Sequence, residues 1–171
     1  MNEKLADIRL LLLDVDGVMT DGGIIYDGNG LETKVFNVKD GHGIKMLQRH
    51  GIEVGIITGR TSLVVDIRAR ELAIELVYQG ALKKIDSYND VKRRTGLTDS
   101  QIAYMGDDVI DVPVMRRVIF AAAPSDALID ARNVAHYVTV CAGGRGAVRE
   151  VCDLILKGRG LWDGIAARYE L

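Results

Sequence analysis

The stretch IRLLLLDVDG, residues 8–17, joins a short apolar run to an acidic pair that follows it directly. An apolar run of this length is typical of a strand that is buried on both faces of a parallel sheet. Asp14 and Asp16 then stand at the carboxyl end of that strand. Ligands of open α/β sheets bind outside these strand ends, so the stretch predicts both the sheet and the edge that carries a site.

Strand-like and helix-like segments alternate along the rest of the chain. This alternation predicts one α/β domain over residues 1–171, with a three-layer, Rossmann-like open sheet that is mostly parallel. Further strands are predicted at 52–57, 76–78, 102–105, 120–123 and 137–140, and helices at 62–72, 81–94, 112–117, 125–132 and 147–157.

Residues 22–37 interrupt this alternation. The segments GGIIY and TKVFNV flank DGNG, whose Asp and Gly residues suit a tight turn, so a β-hairpin is predicted at about 22–37. Asp40 is predicted to cap a helix that runs to His50. No segment is long enough to be a cap domain, and residues 158–171 are expected to form a tail rich in glycine and charge.

Composition excludes several classes of protein. The formal net charge is −2 with both signs interspersed, which argues against nucleic acid as the main ligand. The apolar run at 10–13 is too short to span a bilayer, so no membrane association is expected. The N-terminal MNEKLADIR lacks the pattern of a signal peptide, and the two cysteines are expected to be reduced. A cytoplasmic protein is expected.

Polar residues follow four of the predicted strands, and together they suit phosphoryl transfer. Converging carboxylates repel one another, and oxygen ligands favour Mg²⁺ as the cation that relieves the repulsion. Thr58 and Lys84 add hydrogen-bond donors and positive charge, which a transferring phosphoryl group requires. The groups at the strand ends are Asp14, Asp16, Thr58, Arg60, Lys84, Asp107, Asp108 and Asp111.

The segments DVDGVMTDG, ITGR and GDDVID, with Lys84 between the last two, resemble the four motifs of the haloacid dehalogenase superfamily of phosphohydrolases. The resemblance implies Asp14 as nucleophile and Asp16 as acid/base. It implies that Thr58 and Lys84 hold the phosphoryl oxygens, and that Lys84 also restrains Asp14. The neighbouring Lys83 leaves the choice of lysine open, and the spacing after Gly80 favours Lys84.

The same resemblance implies a metal site. Asp14, the backbone carbonyl of Asp16 and Asp107 would bind Mg²⁺, and Asp108 and Asp111 would support that site. A carboxylate bound to Mg²⁺ repels an anionic phosphate less, so it can attack the phosphorus.

Two further segments, FNVKDGHGIKML and AGGRGAVREVCDLIL, resemble the small capless phosphatases that act on 3-deoxy-D-manno-octulosonate 8-phosphate. These are homotetramers in the family, and the pathway implied is the synthesis of lipopolysaccharide sugar. The resemblance implies a small phosphorylated sugar acid as substrate. The residues implied to contact it are Asp16, Asn37, Val38, Lys39, Asp40, Gly41, Lys45, Arg60, Arg68 and Lys84.

The exact substrate is left open between two sugar acids. Related phosphatases for a nine-carbon 2-keto-3-deoxy sugar acid phosphate tend to carry Glu where this chain has Arg60, so Arg60 favours the eight-carbon substrate. Lys39 and Lys45 stand where Arg is common in the family, which keeps the charge but loses the bidentate fork.

Two other classes of function are considered. A signalling receiver domain also has a phospho-accepting Asp, a Thr and a Lys, but its acidic pair comes at the first strand and its acceptor at the third. A non-catalytic assembly domain is the third hypothesis. The intact set of catalytic residue types argues against it.

The missing cap leads to an expectation about assembly. A monomer without a cap would leave its site open to water. An oligomer in which a neighbour covers the site would close it. The apolar strands of the hairpin, on an unpaired edge, would favour such association.

Overall fold

The computed structural model describes residues 2–170. Within these residues, its eight strands and eight α-helices alternate along the chain except at the hairpin and at the C-terminal helix pair, with one turn of 3₁₀ helix at Asp99–Gln101. The strands are β1 Leu10–Leu13, β2 Ile25–Tyr26, β3 Glu32–Thr33, β4 Glu53–Ile57, β5 Leu76–Tyr78, β6 Ile102–Met105, β7 Phe120–Ala123 and β8 Tyr137–Val138. The helices are α1 Asn2–Leu5, α2 Val38–Arg49, α3 Leu63–Glu71, α4 Lys84–Thr95, α5 Val112–Met115, α6 Ile129–Val134, α7 Ala147–Gly158 and α8 Trp162–Arg168.

Six strands form one sheet in the order β5-β4-β1-β6-β7-β8. Every neighbouring pair in it is parallel, and β1 lies between β4 and β6, with Leu13 opposite Ile56 on one side and Met105 on the other. Strand order reverses at β1, which is the point where open α/β sheets bind their ligands. The predicted fold class is confirmed, and the acidic pair after β1 lies at the switch point.

The four leucines of β1 show why the sheet has helices on both faces. All four are fully buried, and they alternate between two apolar cores. Leu11 and Leu13 pack in the core that α2 and α7 share, whereas Leu10 and Leu12 pack in the core that contains Tyr88 of α4. Successive side chains of a strand point to opposite faces, so a strand that is apolar throughout must be covered twice.

The hairpin stands apart from this sheet. β2 and β3 pair antiparallel over two residues each, with Ile25 opposite Thr33 and Tyr26 opposite Glu32. Several of its apolar side chains are at least half exposed, which is unusual for so short a segment. These are Ile24, Ile25, Tyr26, Leu31 and Val35.

Three local predictions need correction. Helix α2 begins two residues before Asp40, and Asn37 caps it by accepting a hydrogen bond from the Lys39 amide at 2.8 Å. Asp40 lies inside the first turn and is buried because it contacts α7. Helix α4 begins at Lys84, three residues later than predicted, and α6 begins at Ile129 instead of at 125.

The expected tail contains a helix. Trp162–Arg168 forms α8, which buries Ile165 against the core shared by α2 and α7. Leu171, the last residue of the predicted tail, lies outside the described residues. Among residues 2–170, no helix combines the length and the apolar character needed to cross a bilayer.

Core packing around β1 can be tested by truncation. Leu11→Ala should lower the free energy of unfolding by about 2–5 kcal/mol, because a fully buried leucine leaves a cavity when it is shortened. Leu63→Ala, at a side chain that is 69% exposed, should change it by less than about 0.5 kcal/mol. Urea denaturation followed by circular dichroism measures both. Equal losses would contradict the central position of β1.

Candidate active site

A buried ion-pair network forms the centre of the site. Lys84 is the first residue of α4, and its side chain is completely buried. Its Nζ lies 2.7 Å from Asp14 Oδ2 and 2.6 Å from Asp111 Oδ1. The neighbouring Lys83 is exposed. The structure therefore brings Lys84 rather than Lys83 to the end of β1.

Asp111 is held in place by four donors. Its Oδ1 accepts from Lys84 and from the Tyr104 hydroxyl at 2.5 Å. Its Oδ2 accepts from the backbone amides of Asp107 and Asp108 at 3.0 and 3.1 Å. Through these four hydrogen bonds Asp111 fixes the loop after β6 as well as the lysine.

The pKa values of the two remaining carboxyls are displaced upward. Burial and the charge of Asp111 raise the pKa of Asp14 to about 6, although Lys84 acts against this rise. Burial and the charges of Asp14 and Asp111 raise the pKa of Asp107 to about 8. Burial also opposes the charge of Lys84, but the same two carboxylates raise its pKa and keep it protonated. The site therefore carries more negative charge than one lysine neutralises.

These carboxylates fit a divalent cation. One oxygen from each of Asp14, Asp107 and Asp111 lies within 4.8 Å of the others. Asp107 Oδ1 is buried and has no hydrogen-bond partner among residues 2–170, which is costly unless something else satisfies it. Because all-oxygen sites suit Mg²⁺, Asp14 and Asp107 are the side chains suited to hold it, while Asp111 is already occupied by its donors.

Two glycines allow the carboxylates to come this close. Gly17 has φ +87°, and a Cβ there would lie 2.0 Å from Asp107 Oδ2. A Cβ at Gly106 would lie 2.4 Å from the Asp111 side chain. Any side chain at either position would push a carboxylate out of the cluster, so both backbones must approach without one.

The other predicted strand-end residues line the same edge. Thr58 is buried directly after β4, and its amide donates to the Tyr78 carbonyl of β5. Asp16 is half-buried and forms ion pairs with Lys34 and, at 3.8 Å, with Arg60. Arg60 Nη1 is buried without a hydrogen-bond partner in the described part of the chain. A free guanidinium nitrogen beside Asp16 is a suitable anion donor.

The segment before α2 is tied to the loop before α7. Asn37 Nδ2 donates to the Gly144 carbonyl at 3.4 Å. Asp40 Oδ1 accepts from the Arg149 amide at 2.8 Å, and burial raises the pKa of this carboxyl. Gly143 packs so tightly on the first loop that a Cβ there would lie 1.9 Å from the Gly17 carbonyl oxygen. This loop therefore joins the strand-end loop to the start of α2 within one chain.

Other residues that the resemblance implied for substrate contact lie in a different environment. Lys45 Nζ donates to the Leu72 carbonyl at 2.6 Å. Arg68 donates to Glu71, and its guanidinium lies 5.4 Å from the ring centroid of Phe36 and against Gly41. Neither cation contacts the carboxylate cluster within residues 2–170. Val38 and Lys39 are exposed at the start of α2.

Sequence reasoning missed three side chains that shape the site. Glu32 and Lys34 reach it from the hairpin, and Tyr104 donates to Asp111 from β6. The sequence signal for the first two is that the charged residues Glu32 and Lys34 alternate with the uncharged residues of 31–35. The signal for Tyr104 is a hydroxyl on a central strand, which needs a partner when it is buried.

Known proteins agree with this geometry. The chain matches none of the protein-family models against which it was scanned. It is 48% identical over 160 residues to the 3-deoxy-D-manno-octulosonate 8-phosphate phosphatase KdsC of Escherichia coli K12, covering 94% of this chain and 85% of that protein. The chain belongs to the 3-deoxy-D-manno-octulosonate 8-phosphate phosphatase family.

Solved structures support the same membership. The phosphatase of this family from Moraxella catarrhalis, solved with magnesium ion, phosphate ion and KDO, superposes with a TM-score of 0.96 at 41% identity. That match covers 98% of this chain and 97% of the other. A protein from Legionella pneumophila, described as a HAD superfamily subfamily III A hydrolase, gives 0.94 at 40% identity over 99% and 94%. The resemblance drawn from the sequence is confirmed at the level of the 3-deoxy-D-manno-octulosonate 8-phosphate phosphatase family and its superfamily.

The raised carboxyl pKa values predict how metal binding depends on pH. Ligands must be ionised to bind Mg²⁺, so the ion competes with protons on Asp14 and Asp107. For Asp107, the folded pKa of about 8 lies above its ordinary value of 3.8. Without metal, the raised pKa of Asp107 makes a contribution to the free energy of unfolding that is fully present below pH 3.8. This contribution is lost as the pH rises through about 8. Mg²⁺ should therefore raise the melting temperature more at pH 8.5 than at pH 6.

Thermal unfolding with Mg²⁺ and with EDTA at the two pH values measures this effect. Asp107→Asn is the matched control, because it removes the titrating group while keeping the size of the side chain, and it should abolish most of the shift. A Mg²⁺-induced shift of the same size at both pH values would contradict the assignment.

Proposed function

We propose that this protein is a Mg²⁺-dependent phosphatase that hydrolyses 3-deoxy-D-manno-octulosonate 8-phosphate to the free sugar acid and phosphate. One observation carries the chemistry: Asp14 and Asp107, both short of compensating charge, face each other beside a lysine that Asp111 fixes. The names of the relatives support the substrate. The proposed reaction passes through a phospho-aspartate at Asp14.

In the first step an oxygen of Asp14 attacks phosphorus, and the bond from phosphorus to the C8 oxygen of the sugar breaks. The leaving alkoxide takes a proton from the Asp16 carboxyl. Lys84 points one of its hydrogen bonds at Asp14, which orients the nucleophile and offsets charge at the phosphoryl group. Asp111 holds Lys84 from the other side.

In the second step the Asp16 carboxylate removes a proton from water, which attacks the phosphorus of the phospho-aspartate. The bond between phosphorus and Asp14 breaks, and Asp14 returns as a carboxylate with inorganic phosphate as product. Thr58, buried after the neighbouring strand, is proposed to donate to a phosphoryl oxygen.

A bound Mg²⁺ supplies positive charge that lowers the repulsion between Asp14 and an incoming phosphate dianion. Asp14, the backbone carbonyl of Asp16 and Asp107 are proposed to hold it. Asp108 and Asp111 are proposed to support these ligands. The four hydrogen bonds that Asp111 accepts suit it to this supporting role.

Contacts to the sugar acid are proposed from the cationic residues that border the site. The buried, unpartnered Nη1 of Arg60 supports a contact with an anionic or hydroxyl group of the substrate. The segment Asn37–Gly41, with Lys45 and Arg68, is proposed to complete recognition. Its ties to the loop before α7 would hold it in place for that purpose.

The eight-carbon substrate is preferred over the nine-carbon sugar acid phosphate because of Arg60 and because of the names of the relatives. A place in lipopolysaccharide precursor synthesis and a cytoplasmic location follow from the same proposal. The receiver-domain hypothesis is disfavoured, since the relatives are named as phosphatases.

Phosphate release tests the proposal. The protein is assayed on 3-deoxy-D-manno-octulosonate 8-phosphate, on the nine-carbon sugar acid phosphate and on a hexose 6-phosphate, with Mg²⁺ and with EDTA. The eight-carbon substrate should be hydrolysed at least about tenfold more efficiently than the others, and only with metal. Faster hydrolysis of the nine-carbon substrate would overturn the substrate assignment, but the proposed phosphatase mechanism would still stand.

Asp14→Asn is the control for the chemistry. It should reduce kcat by about 10⁴-fold or more, because an amide cannot act as the nucleophile, and it should leave the circular dichroism spectrum unchanged. Retained turnover would remove Asp14 from the mechanism. Absence of metal-dependent phosphate release from every substrate would favour the non-catalytic assembly hypothesis.

We propose further that the protein assembles as a homo-oligomer, and as a tetramer in keeping with the family resemblance. The exposed apolar side chains of the hairpin support it as the assembly element, since a monomer would leave them in water. A neighbouring subunit on the hairpin would also cover the open edge where the carboxylates lie. That would exclude water during phosphoryl transfer.

Charge on the hairpin tests the assembly. Ile25→Asp combined with Val35→Asp should shift the protein to a smaller species, because burying two carboxylates at an interface is costly. Val140→Asp, at an apolar side chain that is 86% exposed beyond β8, is the control and should not change the mass. Light scattering after gel filtration gives the masses. An unchanged mass for the double variant would refute the role of the hairpin.

A further inference from the structure

The C-terminal half of the hairpin has two different faces. From Leu31 to Phe36, exposed residues alternate with residues that turn inward. Thr33 and Val35 face outward, whereas Glu32 and Lys34 point toward the site. Successive side chains of an extended chain take opposite sides, so the extended run places two charged groups on one face.

Lys34 is the more deeply placed of the two. Its side chain is only 1% exposed, and its Nζ contacts Asp16 Oδ1 and lies 3.4 Å from Glu32 Oε1. An ammonium group loses most of its hydration at such a position, so it stays there only because carboxylates replace the water. The pair with Asp16 joins the loop after β1 to the residue that follows β3, 18 positions along the chain.

Glu32 holds the lysine and a second cation together. The Ser62 hydroxyl, which comes directly before α3, donates to Glu32 Oε2. Arg60 Nη2 lies 2.8 Å from Glu32 Oε1, and Arg60 also donates to the Tyr26 hydroxyl at 3.1 Å. One carboxylate oxygen of Glu32 is thus anchored by Ser62, and the other oxygen lies beside both cations.

Asp16 has few other restraints. It lies in the loop after β1, its side chain is 22% exposed, and Arg60 Nη1 is 3.8 Å from its second oxygen. Without Lys34, the carboxyl could rotate to pair with Arg60 or with water. Within residues 2–170, Lys34 contacts none of Asp14, Asp107 and Asp111, so its direct contact with the proposed reacting groups is the one with Asp16.

We propose that Lys34 is a positioning residue that aims the Asp16 carboxyl at the leaving oxygen and at the attacking water, and that Glu32 orients Lys34 for this purpose. The inference rests on the proposed function, in which Asp16 is the acid/base. It gives the hairpin a part in the chemistry of its own subunit, in addition to its proposed part in assembly.

The proposal makes a prediction that depends on the leaving group. An alkoxide leaves only with a proton from Asp16, whereas p-nitrophenolate is stable enough to leave without one. In single turnovers with enzyme in excess, Lys34→Met should slow cleavage of the sugar phosphate by about 100-fold. Cleavage of p-nitrophenyl phosphate should stay within about threefold of the unmodified protein, because the attack by Asp14 is unaltered.

Steady-state kinetics separate the two hairpin residues. Lys34→Met should lower kcat on the sugar phosphate and leave KM within about twofold, since no substrate contact is removed. Glu32→Gln should lower kcat and also raise KM severalfold, because it releases Arg60 as well. Lys34→Gln is made alongside Lys34→Met, so that a neutral polar side chain is also available at the position if the methionine variant folds poorly.

Three controls accompany these variants. Lys83→Met removes an equal charge from an exposed lysine beside the site and should behave as the unmodified protein does. Lys34→Arg keeps a cation that can reach Asp16, and it should cleave the sugar phosphate at least about tenfold faster than Lys34→Met does. Circular dichroism and the mass in solution exclude unfolding or loss of assembly as the cause.

Asp16→Asn separates failure of the inference from failure of the proposed function. If it shows the same selective loss on the sugar phosphate but Lys34→Met does not, the inference is overturned and the mechanism stands. If Asp16→Asn cleaves the sugar phosphate normally, the assigned role of Asp16 is wrong. Equal slowing of both substrates by Lys34→Met would also overturn the inference, because it would indicate damage to Asp14 or to the metal site.

Discussion

The buried contact of Lys84 with Asp14 and Asp111 is the constraint on which the rest of the site depends. Burying an ammonium group is costly unless carboxylates surround it, and burying three carboxylates is costly unless cations do. One lysine against Asp14, Asp107 and Asp111 leaves negative charge in excess. Burial and that excess charge raise the pKa values of Asp14 and Asp107, and the excess explains why the site suits a divalent cation.

The parallel sheet supplies the framework that makes this contact possible. β1 lies between β4 and β6, so the residues that follow these strands meet at one edge. Gly17 and Gly106 let the loops approach until their backbones touch carboxylates of the cluster. The two apolar cores fix β1 from both faces, and the stability of the fold and the aim of Asp14 therefore have the same physical source.

The hairpin brings additional side chains to a site that has no cap domain. Its outward face is apolar and suits a neighbouring subunit, while its inward face carries Glu32 and Lys34 to Asp16, the proposed acid/base. A two-stranded hairpin is weakly stable alone, so its ion pairs with Asp16 and Arg60 and its hydrogen bond with Ser62 also hold it against the domain. The proposed assembly and the proposed positioning of Asp16 thus use opposite faces of one short element.

The sequence by itself determined the sheet, the edge and the residues at the strand ends, including Lys84. The sheet and its edge follow from local apolar runs and from the rule that parallel strands end at one edge, and the spacing after Gly80 favoured Lys84 over Lys83. Only the tertiary structure decided that Lys34 pairs with Asp16, that Asp40 caps α7 instead of α2, and that Lys45 and Arg68 lie off the carboxylate cluster. Such pairings join segments far apart in sequence. They depend on how whole elements pack, which no local periodicity encodes.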